Sequence, residues 1–71
     1  MKFENPEYFV VDQYGTDGDE YIFSTAQEAV EYAEAEWNHL VPQDKNRHVI
    51  TAGVREKGTF DYDVIEIFGG D

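Results

Sequence analysis

The chain contains no cysteine, so no disulfide and no thiolate-bound metal can brace it, and it offers no thiol nucleophile. Serine occurs once, at Ser24, where a helix cap is wanted, which leaves almost no inventory for nucleophilic catalysis. No glycine-rich loop stands between a strand and a helix to cradle phosphate, because Gly69-Gly70 falls after the last strand-like stretch. No apolar run approaches the length of a membrane span, and no basic-then-apolar leader opens the sequence. The expected compartment is therefore the cytoplasm, with no membrane partner. Cations are scarce too: five Lys and Arg against sixteen Asp and Glu, for a formal charge of −11. A field of that sign repels nucleic acid and anionic lipid and steers toward basic partners, so no direct nucleic-acid binding is expected.

What remains is aromatic and aliphatic. Five Phe, five Tyr and one Trp in 71 residues argue for a packed core and against disorder, despite the acidity. A single domain spanning 1–71 is expected, burying roughly 60% of its unfolded surface with a net stability of about 7 kcal/mol. The charge is uneven. Residues 1–44 carry −10, residues 45–57 carry +3 through Lys45, Arg47, Arg55 and Lys57, and residues 58–71 carry −4.

"EYFVVDQYG" (7–15) is β-branched and aromatic and stops at a glycine, so it reads as a strand. Asp17-Gly18 is a hairpin-turn signal, and "YIFST" (21–25) reads as the return strand. A two-residue Asp-Gly loop would pair Tyr14 with Tyr21; a longer one would set Phe9 and Val11 against Tyr21 and Phe23. Thr25-Ala26-Gln27-Glu28 has capping-box spacing, with Ser24 as a competing cap. Ala26, Ala29, Val30, Ala33, Trp37 and Leu40 or Val41 then form one apolar helical stripe, anchored by the indole. Pro42 should end the helix near Leu40 and start a polar turn over 42–47. "HVITAGVREK" (48–57) alternates as a half-buried strand. "FDYDVIEIF" (60–68) alternates through Phe60, Tyr62 and Val64, then changes phase at Ile65, which suggests a bulge or a strand covered on both faces. The final "GGD" reads as a frayed end. The order predicts an α+β, two-layer ββαββ domain: a four-stranded, mainly antiparallel sheet with one helix on one face and the other face open.

Asp17, Asp19 and Glu20 are hard-cation ligand types, but their spacing fits no calcium loop, so they read as a solvated hairpin tip. Glu28, Glu31 and Glu34 recur every three residues and read as a solvated helix face. A glycosidase carboxylate pair would need a cleft this small chain has little room for. His39 should point away from Trp37, beside Tyr32, where it suits the helix C-terminus and could touch a partner. His39 and His48, nine residues apart with no cysteine, make a poor zinc signature. No metal, cofactor or catalytic residue is expected. The candidate partner-binding residues are Glu28, Glu31, Glu34, Tyr32, His39, Asp17, Asp19 and Glu20.

The string "STAQEAVEYAEAEWNHLVPQDKNRH" resembles small uncharacterised proteins of phages and mobile elements of Gram-positive bacteria, with "EWNHL" as its distinctive piece. There an aromatic strand precedes a "T-x-x-E-A" helix that ends in "E-W-x-H-L" and a "D-K" turn. The resemblance covers residues 8–48 and carries no activity; it implies a bacterial, non-enzymatic protein.

Three functions compete. One is a protein-binding module using the open sheet face or the outer helix face, toward a partner with a basic surface or a second copy in a homodimer. Another is a nucleic-acid mimic that inhibits a basic DNA- or RNA-binding protein. Duplex DNA carries a charge per about 1.7 Å of axis, while Glu at every third helical residue gives one per about 4.5 Å. The third, a small metal-dependent enzyme, has least support.

Overall fold

The structure, a computed structural model, describes residues 3–70. Lys2 and Asp71, two of the charges counted above, lie outside them. The elements run β1 (Pro6–Tyr14), β2 (Asp17–Phe23), α1 (Ala26–His39), α2 (Pro42–Lys45), β3 (His48–Glu56) and β4 (Tyr62–Gly69). All four strands join one antiparallel sheet in the order β2-β1-β3-β4, and α1 packs on one face. This is the expected ββαββ layout, with α2 as the single turn that Pro42 opens.

The first hairpin departs from expectation. Its two-residue loop is Gly15-Thr16, not Asp17-Gly18, because Tyr14 pairs with Asp17. Gly15 has φ +62 while Thr16 stays out of the positive-φ region, the requirement of a type II′ turn with glycine first. Asp17 and Gly18 therefore lie inside β2, and both proposed registers are replaced by Tyr8 with Phe23, Phe9 with Ile22 and Val10 with Tyr21. The return strand ends at Phe23, which frees Ser24 and Thr25 for the helix start.

Thr25 caps α1. Its extended backbone (φ −134°, ψ 157°) aims the hydroxyl to accept from the Glu28 amide at 3.1 Å. Glu28 accepts from that same hydroxyl at 3.2 Å instead of reaching back to a main-chain amide, a tighter variant of the box. At the other end, Leu40 and Val41 are extended, as the residues ahead of Pro42 must be. Ala29 and Ala33 are fully buried against Val10, Ile50 and Ala52. Small residues on both layers let the helix approach closely. Full burial of Val10 and of Ile50 contributes about 1.5–3 kcal/mol each. Trp37 anchors the stripe's far end half-buried, its ring stacked on Phe68 at 6.2 Å and crossed by the Lys45 ammonium at 5.2 Å.

β4 begins at Tyr62, so Phe60 stands in the preceding loop, fully exposed, and not in the strand. The phase change is a bulge: Ala52 faces Glu66 and Gly53 faces Val64, leaving Ile65 between them without a partner. The terminal glycines are less frayed than expected. Gly69 pairs with Val49 at φ +86, and a side chain there would meet the His48 carbonyl and the Trp37 ring.

Gly53 is the tightest point of the sheet. A Cβ there would lie 2.6 Å from the Phe9 ring and 2.8 Å from the Asp63 carbonyl, and the carbonyl cannot swing aside. Gly53→Ala should lower the unfolding free energy by about 1–3 kcal/mol in urea titrations. An unchanged midpoint would show that β4 does not lie this close.

Candidate functional site: the open sheet face

Alternation sends Glu7, Phe9, Val11 and Gln13 of β1 to the face away from α1, and register aligns their neighbours in rows. One row reads Ile22, Phe9, Gly53, Val64 across all four strands; the next reads Glu20, Val11, Thr51, Ile67. Ile22, Val64 and Ile67 are each about half exposed (51%, 51% and 52%), Tyr62 is 59% exposed, and Phe60 stands fully in solvent beside them. Ile22 stands at the β2 edge and the others at the β4 edge, with buried Phe9 and Gly53 between them. Phe9, Val11, Thr51, Phe60 and Tyr62 line a shallow concavity of about 420 Å³ on this face.

Phe9 is the exception, buried to 5% exposure. Its ring lies over the bare Gly53 backbone, meets Tyr62 edge-on at 6.1 Å, and is roofed by the Arg55 guanidinium at 5.0 Å. Arg55 donates through Nε to Glu7 at 2.8 Å and through both terminal nitrogens to the Glu20 carboxylate at 3.0 Å. One guanidinium thus ties β3, β1 and β2 together over an aromatic ring, a geometry that lysine could not reproduce. The Arg55 hydrogen bonds hold the Glu20 carboxyl below the ordinary glutamate value of 4.5, with burial opposing the shift.

The other predicted site residues are dispersed. Asp17 and Asp19 point to the helix side of β2 while Glu20 points to the open side, so the three carboxylates do not converge. Among the described residues no group of three or more His, Asp and Glu could hold a metal. Glu28, Glu31 and Glu34 are exposed along α1, with Gln27 donating to Glu31 at 3.0 Å. Tyr32 is not on the outer surface. It packs on Tyr21 at 4.9 Å and Phe23 at 5.2 Å, and its hydroxyl donates to Glu36 at 2.9 Å. Burial first, then that carboxylate, pushes its phenol well above the usual tyrosine range. His39 is exposed at the last residue of α1.

Sequence reasoning missed a polar knot on the helix side. Asp12 is 7% exposed and sits directly opposite Asp19, a like-charge pairing that by itself destabilises an antiparallel pair. Each carboxylate has its own partner. His48 Nδ1 lies 2.8 Å from Asp12, and the Tyr14 hydroxyl donates to Asp19 at 3.1 Å while its ring leans on His48 at 5.1 Å. The Asp19 hydrogen bond and charge raise the Tyr14 phenol above its ordinary value. A second missed clamp is Glu56, whose carboxylate accepts from the amides of Glu4 and Asn5 at 2.9 and 2.8 Å. The Asp12–His48 contact spans 36 residues and the Glu56 clamp 51 and 52, which local patterns do not reveal.

No described helix is long and apolar enough to cross a membrane. Comparison with protein-family models, with curated proteins and with solved structures gives no match to this chain.

Because Glu20 ionises at a lower pH in the folded chain than in the unfolded one, the unfolded chain binds its proton first as pH falls. The Arg55–Glu20 contribution is complete above pH 4.5 and disappears as pH drops through the folded value. Glu20→Gln should therefore cost stability at neutral pH and flatten the acid limb of the stability curve below pH 4.5. Parallel acid limbs for the two proteins would show that the pair does not form.

Proposed function

We propose that this chain is a non-enzymatic, cytoplasmic protein-binding module whose docking surface is the open face of the sheet, and that it engages a protein with a basic, apolar-flanked surface. The observation that carries the reading is the exposure of Tyr62, Val64 and Ile67 on β4 and of Ile22 on β2, at the two edges of a sheet face that α1 leaves open. An apolar centre supplies most of the affinity of such contacts, while complementary charge around it steers encounter and selects partners. The net charge of −11 supplies the selection for a cationic surface. A phage or mobile-element origin in Gram-positive bacteria belongs to the same proposal and rests on the "EWNHL" resemblance.

The nucleic-acid mimic is a second reading, supported by the exposed Glu28, Glu31 and Glu34. It is weakened at Glu20, which lies on the far side of the sheet with its charge engaged by Arg55 rather than extending the helix array. The two readings differ in salt response, since charge-dominated binding collapses as ionic strength rises and apolar contact does not.

Affinity capture with the wild-type chain, repeated at high salt, separates them. Ile22→Lys should abolish recovery of the specific partner, while Glu28→Gln/Glu31→Gln/Glu34→Gln should retain it in both salt conditions. Loss with the triple variant and retention with Ile22→Lys would replace the module by the mimic.

A further inference from the structure

The Asp12–His48 contact fixes a proton as well as a position. His48 Nδ1 lies 2.8 Å from a carboxylate oxygen of Asp12, which is 7% exposed, and the Tyr14 ring leans on the imidazole at 5.1 Å. An ionised carboxylate only accepts, so in the uncharged ring the proton sits on Nδ1 and Nε2 keeps its lone pair. Nε2 has no hydrogen-bond partner, and among the described residues no buried side-chain nitrogen or oxygen lacks one, so Nε2 opens to solvent. With its tautomer set and its lone pair outward, His48 has the arrangement of an imidazole nucleophile.

His48 lines an open cavity of about 630 Å³ with Tyr14, Asp44, Asn46 and Arg47. In a chain with sixteen acids to five Lys and Arg, the exposed Arg47 guanidinium pairs with no carboxylate among the described residues. Lys45 is committed to the Trp37 ring, Asp12 to His48, and Asp19 to the Tyr14 hydroxyl. Arg47 and Asp44 are the charges left at the cavity, and they cancel, so a free oxyanion is poorly retained there. One bonded to Nε2 is held whatever the net charge, and a guanidinium beside it suits its oxygens. We propose that His48 Nε2 is a phosphoryl-acceptor site, taking the group from a donor of the phosphoramidate class. The Nε2 lone pair bonds to phosphorus as the donor's P–N bond breaks, and the amine, already protonated, leaves with that bond's electron pair. The Nδ1 proton stays on the ring, where Asp12, a positioning residue, balances the charge the ring acquires. The site lies on the helix side of the sheet and does not rest on the open-face reading.

The chain has two histidines and so carries its own control. His39 is the more exposed ring, at the end of α1, and no carboxylate hydrogen-bonds to it among the described residues. Treatment of the full chain with potassium phosphoramidate, followed by ring-nitrogen NMR and by mass spectrometry of the adducts, tests the site. Folded, His48 should react about tenfold faster than His39, the difference one charge-assisted hydrogen bond makes; in urea the two rates should converge. Before treatment, the uncharged His48 ring should show a bare Nε2. Arg47→Ala changes an exposed side chain, so it should stay folded by circular dichroism and slow His48 alone, and Arg47→Lys should recover part of the rate. Asp12→Asn should slow His48 and shift its tautomer signature. Reaction at His39 ahead of His48, an unchanged His48 rate in Arg47→Ala, or a neutral His48 ring protonated on Nε2 would each overturn the proposal. So would saturable binding of inorganic phosphate with no adduct at His48, which would make the cavity an oxyanion site only.

Discussion

A helix of fourteen residues is about 21 Å long, and four strands at about 4.8 Å spacing make a sheet of nearly that width. One such helix can cover one face and no more. That limit organises the rest of the molecule. Alanine at positions 29 and 33 lets α1 settle directly on Val10, Ile50 and Ala52, so the small core is dense although few large side chains are wholly enclosed. Trp37 closes the far end against Phe68 and the bare Gly69.

The uncovered face has to be stabilised by other means, and the chain uses its own side chains as a partial lid. Gly53 leaves a gap that Phe9 fills, Tyr62 meets the ring edge-on, and Arg55 crosses above to hold Glu7 and Glu20. The lid ends there. Ile22, Val64 and Ile67 remain half in water. Of the cations, Arg55 closes the lid and Lys45 crosses the indole.

Much of the fold was legible because it is written in local chemistry. The Thr25 cap, the alanine stripe, the stop before Pro42 and the phase change at Ile65 each use rules that act within a few residues. The hairpin was misread for an equally physical reason. A register slip by an even number of residues leaves every side chain on its original face, so alternation cannot separate a turn at Asp17-Gly18 from one at Gly15-Thr16. The choice falls to the glycine-first turn and to pairing with β3. The open face was expected, but the candidate residues were drawn toward the carboxylates and the helix. Tyr32 turned inward onto β2, and Glu20 separated from Asp17 and Asp19 by the simple alternation of a strand. Asp12 with His48 and Arg55 with Glu20 span 36 and 35 residues, beyond the reach of any local pattern.

The most direct measurement is the response of methyl resonances to a soluble paramagnetic agent. With one face covered by α1 and the other bare, the methyls of Ile22 and Val64 should broaden strongly while those of Val10 and Ile50 stay sharp. Equal protection of all four, in a sample dilute enough to hold single chains, would mean that both faces are covered and would contradict the account.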